Sequence, residues 1–558
     1  MSADPPGAPS AAPPATPTAT APSADRPAHH AARTISDTYA DSMVLLVATS
    51  VMSGQPGIGW AGAVMATPAA LGDLAEQGFA PADLAEAHAN DLVLAVHAAD
   101  EGQAEAALAA GTDSIFSATR PGGNGGNGGN GTEGGPRHDA PRTIEAAAEL
   151  APRANVAIVS VPGPYAALEA HHALTAGLHV LLFSDNVPLA EEIELKQRAT
   201  ELGLLVMGPG AGTAVLAGTG LGFANVLRRG PVGVVAAAGT GAQEVSALLD
   251  RWGVGVSQVI GVGGRDLSAE VGGRMAVAAV RALDADPDTQ AILIVSKPPD
   301  PAVAKLVLEQ CAGTPAVAVF LGVTDLTQPA GTQPAGTQPP QSQLSRTLEA
   351  GAIAAARLTG GTPPNPAHHL ADHAARAAAR LPEQRRTIRG FYSGGTLCYE
   401  AQLIISGLLG PVYSNEPLVH ENTVPAPPGS HVLLDLGAEE YTVGRPHPMI
   451  DPQSRIEILR AQAREPDVAA VLLDVVLGHG SHADPARELA PVLTEIMADG
   501  GPQVVAYVLG SGGDSQGYQD QRATLEAAGC LVTETAARAA YLAAAIAARK
   551  PELAERRD

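Results

Sequence analysis

The chain has 558 residues, 45% of them hydrophobic, 16% charged and 3% aromatic, and a formal net charge of −24. The apolar share excludes wholesale disorder, and the length suggests roughly three to four domains. The acidic balance and the scarcity of aromatic rings argue against nucleic acid or an anionic membrane surface as partner, since both demand basic patches.

The first 38 residues are Pro/Ala/Ser/Thr-rich, with neither the basic nor the apolar region of a signal peptide, and are expected to be a disordered tail. Residues 39–118 carry the apolar runs MVLLVAT, AGAVMAT and DLVLAVHA with helical stretches between them, which predicts a small α/β domain. Residues 119–142, including PGGNGGNGGNGTEGGP, are expected to be a flexible linker. Over 143–228, NVAIVSVPG, HVLLFSD and LLVMGPG alternate with amphipathic stretches, the pattern of a parallel sheet covered on both faces. Residues 229–326 repeat that rhythm from PVGVVAAAGTGAQEV, and 389–550 repeat it from RGFYSGGTLCYEAQ. Between them lie a TQPAG-repeat insert at 327–345 and an Ala-rich helical hinge at 346–388. No run approaches the ~18 apolar residues of a membrane span. Three dispersed cysteines, Cys311, Cys398 and Cys530, form no disulfide framework or Cys-rich zinc site and point to a reducing cytoplasm.

The two repeated pieces place glycine turns at matching points. Gly239, Thr240 and Gly241 open one helix; Gly394, Gly395 and Thr396 open the other. A glycine turn between a parallel strand and a helix exposes backbone N–H groups at the positive end of the helix dipole, a site for phosphate or carboxylate. The competing reading is that βα turns are glycine-rich for packing alone. Glu244 and Glu400, early in these helices, are candidate catalytic bases. Gly478 and Gly480 in LGHGSHADP are candidates for a further phosphate loop. His479, His482 and Asp484 in the same segment lack the neighbours that would complete a metal shell, so no metal is expected. Cys398 reads either as a thiolate at a helix start or as a small packing residue. No GxxxxGK[ST] occurs, and no GxGxxG is followed by the acidic residue that dinucleotide binding requires.

Three groups of segments carry a family resemblance: NVAIVSVPGPY with AGLHVLLFSDNVP; GFANVLRRGPVGVVAAAGTGAQEV with GVGGRDLSAEVGG and SKPP; and GFYSGGTLCYEAQ with LLDLGAEE and LLDVVLGHGSHADP. Together they resemble the FdrA family of the succinyl-CoA synthetase (CoA ligase) superfamily. The resemblance implies an α/β fold: a CoA-binding-like Rossmann domain followed by two flavodoxin-like ligase domains. It assigns cofactor contacts to Val161, Pro162, Ser184, Asn186, Gly208 and Pro209, with CoA as the possible cofactor. There are departures. The phosphohistidine segment GHAGAI of the synthetases reads LEAGAI, with Glu349 at the histidine position. No ATP-grasp domain precedes the second ligase domain. GPDCGTA reads GPGAGTA, with Gly210 and Ala211, and the serine before GTG is Ala238. The family link implies ATP-independent acyl or carbamoyl transfer, as in oxamate carbamoyltransferase, with phosphate as substrate and companion subunits as partners. An ATP- and CoA-dependent synthetase working through a partner chain, and a non-catalytic scaffold, are the other readings.

Overall fold

The computed structural model describes residues 29–36, 38, 40, 42–79, 87–88, 91–118, 141–323, 342–442 and 446–556. The start of the expected tail, nearly all of the Gly/Asn linker and most of the TQPAG insert fall outside these residues. The chain divides into two units, residues 1–135 and 136–558.

In the first unit, Leu92 to Val96 are wholly buried, so this strand must be covered on both faces and flanked on both edges. The elements are β1 (His29–Ile35), α1 (Ser42–Ser53), β2 (Ile58–Met65), α2 (Pro68–Glu76), β3 (Leu92–Ala98) and α3 (Glu101–Ala118). β3 is central and pairs antiparallel with β1 and β2. The expected tail is therefore too long: β1 begins inside it, because the edge of β3 needs a partner for its backbone groups. The run MVLLVAT lies in helix α1. Gly111 in α3 lets the two helices close, since a Cβ there would lie 2.6 Å from Met52 Sδ.

The second unit opens with α4 (Ile144–Leu150), β4 (Val156–Val159), α5 (Gly163–Thr175), β5 (His179–Leu182), α6 (Leu189–Leu202) and β6 (Val206–Met207). Their three strands form the parallel sheet β4-β5-β6. The hairpin β7 (Thr213–Leu216) and β8 (Thr219–Gly222) follows. Next come β9 (Arg229–Ala237), α7 (Gly239–Arg251), β10 (Val256–Gly261), α8 (Arg274–Asp284), β11 (Ala291–Ser296), α9 (Pro301–Leu308), β12 (Ala316–Phe320), β13 (Ser342–Ser345) and α10 (Leu348–Leu358). Strand order is β13-β12-β11-β9-β10-β7-β8. Reading from β10 to β13, this is the 2-1-3-4-5 order of doubly wound flavodoxin-like sheets, with the hairpin added antiparallel at the edge.

After α11 (Leu370–Arg380) the plan recurs: β14 (Thr387–Tyr392), α12 (Gly395–Leu409), β15 (Val412–Tyr413), β16 (His431–Asp435), α13 (Glu439–Thr442), α14 (Gln453–Gln462), β17 (Val468–Val476), α15 (Pro485–Met497), β18 (Gln503–Leu509), α16 (Tyr518–Ala527), β19 (Leu531–Thr533) and α17 (Ala536–Ala548). This parallel sheet runs β15-β16-β14-β17-β18-β19, again 2-1-3-4-5 from β16 onward.

Two expected boundaries move. β13 falls in the expected insert but pairs parallel with β12 and completes the first ligase sheet. α10 falls in the expected hinge but packs on α7, β11 and β12. Gly351 makes that contact possible, as a Cβ there would lie 2.1 Å from Val319 Cγ2. One apolar cluster runs from Val215 to Ala554 through both ligase domains. At its centre α7 buries every residue from Thr240 to Asp250, and the Ala-rich α17 buries 536–547. Small side chains let helices approach closely, and this brings the ends of the two sheets together.

Candidate functional site

β9 runs into α7 through Ala238, and β14 runs into α12 through Gly394; neither N-cap residue has a side-chain hydrogen bond to its helix. The first-turn N–H groups of a helix have no intrahelical partner. Here the two helix starts meet. The Thr396 N–H donates to Thr240 Oγ1 at 3.3 Å. A Cβ on Gly394 would lie 2.8 Å from Thr240 Cγ2, and one on Gly241 would lie 3.0 Å from Thr396 Cγ2. Gly241 and Gly394 thus sit at the close approach, while Gly239, Thr240, Gly395 and Thr396 line a cleft of about 520 Å³. The other walls come from the carboxyl ends of neighbouring strands: Phe183 and Asp185 after β5, Gly210 and Ala211 after β6, Gly263 and Gly264 after β10, Lys297 after β11, Asp435 at the end of β16, and His447.

The α7 side of the cleft is open. Ala238 offers no hydroxyl to its helix, and Gln243 Nε2, buried at the cleft wall, makes no hydrogen bond among the described residues. The α12 side is braced. Asp474 accepts the Ser393 and Gly394 N–H groups, each at 2.8 Å, and Ser393 Oγ at 2.8 Å. Arg455 Nη2 pairs with Asp474 at 3.0 Å and donates to the Phe391 carbonyl at 2.7 Å. Burial pulls the Arg455 guanidinium below its usual range while Asp474 pulls it back. A second buried network fixes the turn after β10: Lys196 Nζ, with no exposure, reaches Glu192 at 2.7 Å, Asp266 at 2.9 Å and the Val262 carbonyl at 2.9 Å.

Asp435 is almost fully buried, with Oδ1 accepting the Gly437 N–H at 3.0 Å. Burial pushes its carboxyl up to about 6 against the pull of Lys297. Burial pushes His447 down to about 4, so its ring is neutral near pH 7. Its Nδ1 accepts the Met449 N–H at 3.2 Å, which assigns the proton to Nε2.

Of the expected catalytic and phosphate-binding residues, four lie away from both this cleft and the contact between the two turns. Glu244 accepts the Tyr507 hydroxyl and, at 3.2 Å, the Ala536 N–H at the start of α17; burial lifts its carboxyl to about 7. Glu400 accepts the Leu348 N–H at the start of α10 at 2.7 Å. Both are helix-end braces rather than bases facing a ligand. Gly478 and Gly480 pack against the chain at 223–225, where a Cβ would meet the Ala224 carbonyl oxygen at 2.6 Å and the Phe223 ring at 2.9 Å. That loop is pinned by Gln516 Nε2 on the Gly478 carbonyl, and its glycines serve packing. His482 Nδ1 accepts the Asp484 N–H, and Asp484 accepts Gln521. Cys398 is buried, which pushes its thiol well above the usual range, so it is a packing residue. Glu349 is held by Arg538 Nε at 2.9 and 3.0 Å and by the Thr535 hydroxyl, away from the glycine turns.

Val161, Pro162, Ser184, Asn186, Gly208 and Pro209 gather at the carboxyl ends of β4, β5 and β6. Ser184 Oγ donates to the Val161 carbonyl, and Asn186 Nδ2 reaches Glu439 at 3.3 Å. Gly208 is required at φ 128°, with a Cβ position 2.3 Å from the Leu182 carbonyl oxygen.

Comparison with known proteins agrees with this architecture. The CoA-ligase family matches residues 391–546, and the AllF heavy metal-associated domain matches residues 29–130. Escherichia coli K12 YahF is 36% identical over 521 residues, 91% of this chain and 96% of YahF. The alpha 2 subunit of the ADP-forming succinate–CoA ligase of Archaeoglobus fulgidus is 29% identical over 26% of this chain and 50% of its own length. The SauD subunit of the ADP-forming sulfoacetate-CoA ligase of Bilophila wadsworthia is 31% identical, again over 26% of this chain and 50% of its own length. This chain therefore spans about half of either ligase subunit. Residues 29–130 contain no cysteine, and among the described residues of the first unit His30 and His97 stack with each other, at 4.4 Å between ring centroids, and with Phe79. Among the described residues no three His, Cys, Asp or Glu side chains gather, and no helix is long and apolar enough to cross a membrane.

Proposed function

The chain belongs to the family of YahF within the CoA-ligase superfamily, and from that premise we propose that it is an FdrA-type subunit of a phosphate-linked acyl or carbamoyl transferase that works without ATP. The observation carrying this reading is the uncapped start of α7, with the Gln243 amide beside it, facing α12 across one cleft. Preorganised N–H donors stabilise charge on a transferring group without rearranging during the reaction. In this reading the N–H groups of Gly239, Thr240 and Gly395 hold inorganic phosphate, and Lys297 holds the oxygen of the acyl group. Loss of the phosphohistidine supports it, because Glu349 is tied to Arg538 and Thr535 outside the cleft. The substrate we propose is oxalurate, giving oxamate and carbamoyl phosphate, with companion subunits completing a cytoplasmic enzyme.

The test is to purify the chain with its native partners and measure phosphate-dependent carbamoyl phosphate formation from oxalurate, without ATP or CoA. Activity that disappears when this chain is removed is the expected result. Activity that requires ATP, CoA and a carboxylate favours instead the acyl-CoA ligase reading, which the likeness to the two ligase subunits supports.

A further inference from the structure

The cleft holds a carboxylate where an anion site has no obvious use for one. Asp435 stands at the end of β16, and its Oδ2 would be 2.3 Å from a Cβ on Gly395, so glycine is what lets the carboxyl lie against the start of α12. Its main chain is clamped on both sides by Asn415, at 2.9 and 3.0 Å. Oδ1 is occupied by Gly437, while Oδ2 has no hydrogen-bond partner among the described residues. The charged groups around it are Lys297 from the loop after β11, Asp474 from β17 and Glu416 from the loop after β15. Neutral His447 faces the same space. Among the described residues, none holds the carboxyl in an ion pair at contact distance.

Resting on the phosphate-transfer reading, we infer that Asp435 is the proton carrier of this cleft, serving the departing nitrogen of the ureide proposed above. A phosphate oxygen of HPO4²⁻ attacks the carbonyl carbon. A C–O bond to phosphate forms and the C–N bond breaks. The phosphate's proton passes to Asp435 Oδ2 and from there to the departing nitrogen, which leaves as a neutral amine or amide while the carboxylate is restored. No oxidant or reductant enters. A thiol, with a pKa of ~8.5, departs as thiolate without an acid, whereas an amide nitrogen must be protonated as it leaves. The raised carboxyl of Asp435, about 6, suits a group that takes and returns a proton near neutral pH.

Sulfate tests the placement because its charge is constant between pH 5 and 8. In the full-length chain, sulfate should bind at least about fivefold more tightly at pH 5 than at pH 7.5, since ionised Asp435 repels it, and Asp435→Asn should bind with little pH dependence. In the assembled enzyme with oxalurate and phosphate, Asp435→Asn should lower kcat by about 10²–10⁴ and remove the ionisation near pH 6 from the rate profile, with Asp435→Glu recovering part of the rate. Sulfate binding that is flat with pH in the native chain, or an Asn variant with native kcat, overturns the role of Asp435 and leaves the anion cradle standing. Phosphate-dependent cleavage of an acyl-CoA probe in place of oxalurate overturns the need for a proton carrier at the departing group. Failure of the native chain to bind sulfate at any pH overturns both the cradle and the role built on it.

Discussion

The two ligase domains share a plan but diverge where it matters most. β10 ends with Gly261 opposite Ala236 of β9, and β16 ends with Asp435 opposite Tyr392 of β14. Each pair stands two residues before its helix N-cap, Ala238 or Gly394. On the other flank Val295 pairs with Ala236, whereas the second domain has Asp474 at the corresponding point. One domain thus carries two carboxylates around its helix start and the other carries none. Gly261 cannot be acidic there, since even a Cβ would lie 2.4 Å from the Thr213 carbonyl oxygen of the added hairpin. In the proposed reading this is a division of labour: the uncharged start offers the N–H groups of Gly239 and Thr240 to an anion, and the braced start adds the Gly395 N–H and a carboxyl group.

The largest expected effect comes from removing the brace. Asp474→Ala leaves Arg455 buried without its counter-charge and strands two backbone N–H groups, which should cost about 3–5 kcal/mol in urea unfolding; a loss under about 1 kcal/mol would mean the brace is ornamental. A medium effect tests the helix-end role of Glu244. Its carboxyl is lifted from 4.5 to about 7 in the folded state. The fold therefore keeps a proton that the unfolded chain has released across this window. Stability should fall as pH rises from about 4.5 to 7, by about 1–3 kcal/mol, and level off above it. Glu244→Gln should abolish that decline, and unchanged pH dependence in the variant would assign it to another group. A smaller effect sharpens the contrast by making the domains alike. Val295→Asp places a carboxylate beside the α7 start, and sulfate affinity should fall about tenfold, equivalent to about 1.4 kcal/mol. Unaltered affinity would place the anion elsewhere.

Much of this was legible in the sequence. Apolar strands alternating with helices announced parallel sheets, and the spacing of GTG and GGT announced two glycine turns in equivalent places. Their meeting in space is what the structure adds. The charged residues that line the cleft were harder to read. Asp435 and Lys297 lie in LLDLGAEE and SKPP, segments that carry the family resemblance, but such a resemblance marks equivalence of position and not of role. Asp474 did carry a signal: it is a lone charge in VAAVLLDVV, a run apolar enough to be buried on both faces, and such a charge must be paired. Glu244 and Glu400 misled because a carboxylate one turn into a helix looks the same in sequence whether it faces a ligand or another helix. The strand β13 was hidden because it follows the TQPAG repeat directly, with only four residues, SQLS, to mark it.

Glu244 and Glu400 occupy equivalent places, yet each finishes a helix of the opposite domain. Glu244 receives the first N–H of α17, and Glu400 receives the first N–H of α10. Neither domain's last helix is complete on its own. A chain cut between α10 and α11 and produced as two polypeptides should therefore behave as an obligate pair, each piece poorly soluble alone and recovered together on co-expression. The crossed glutamates make the duplicated plan a single indivisible machine in which damage to one copy is felt in the other.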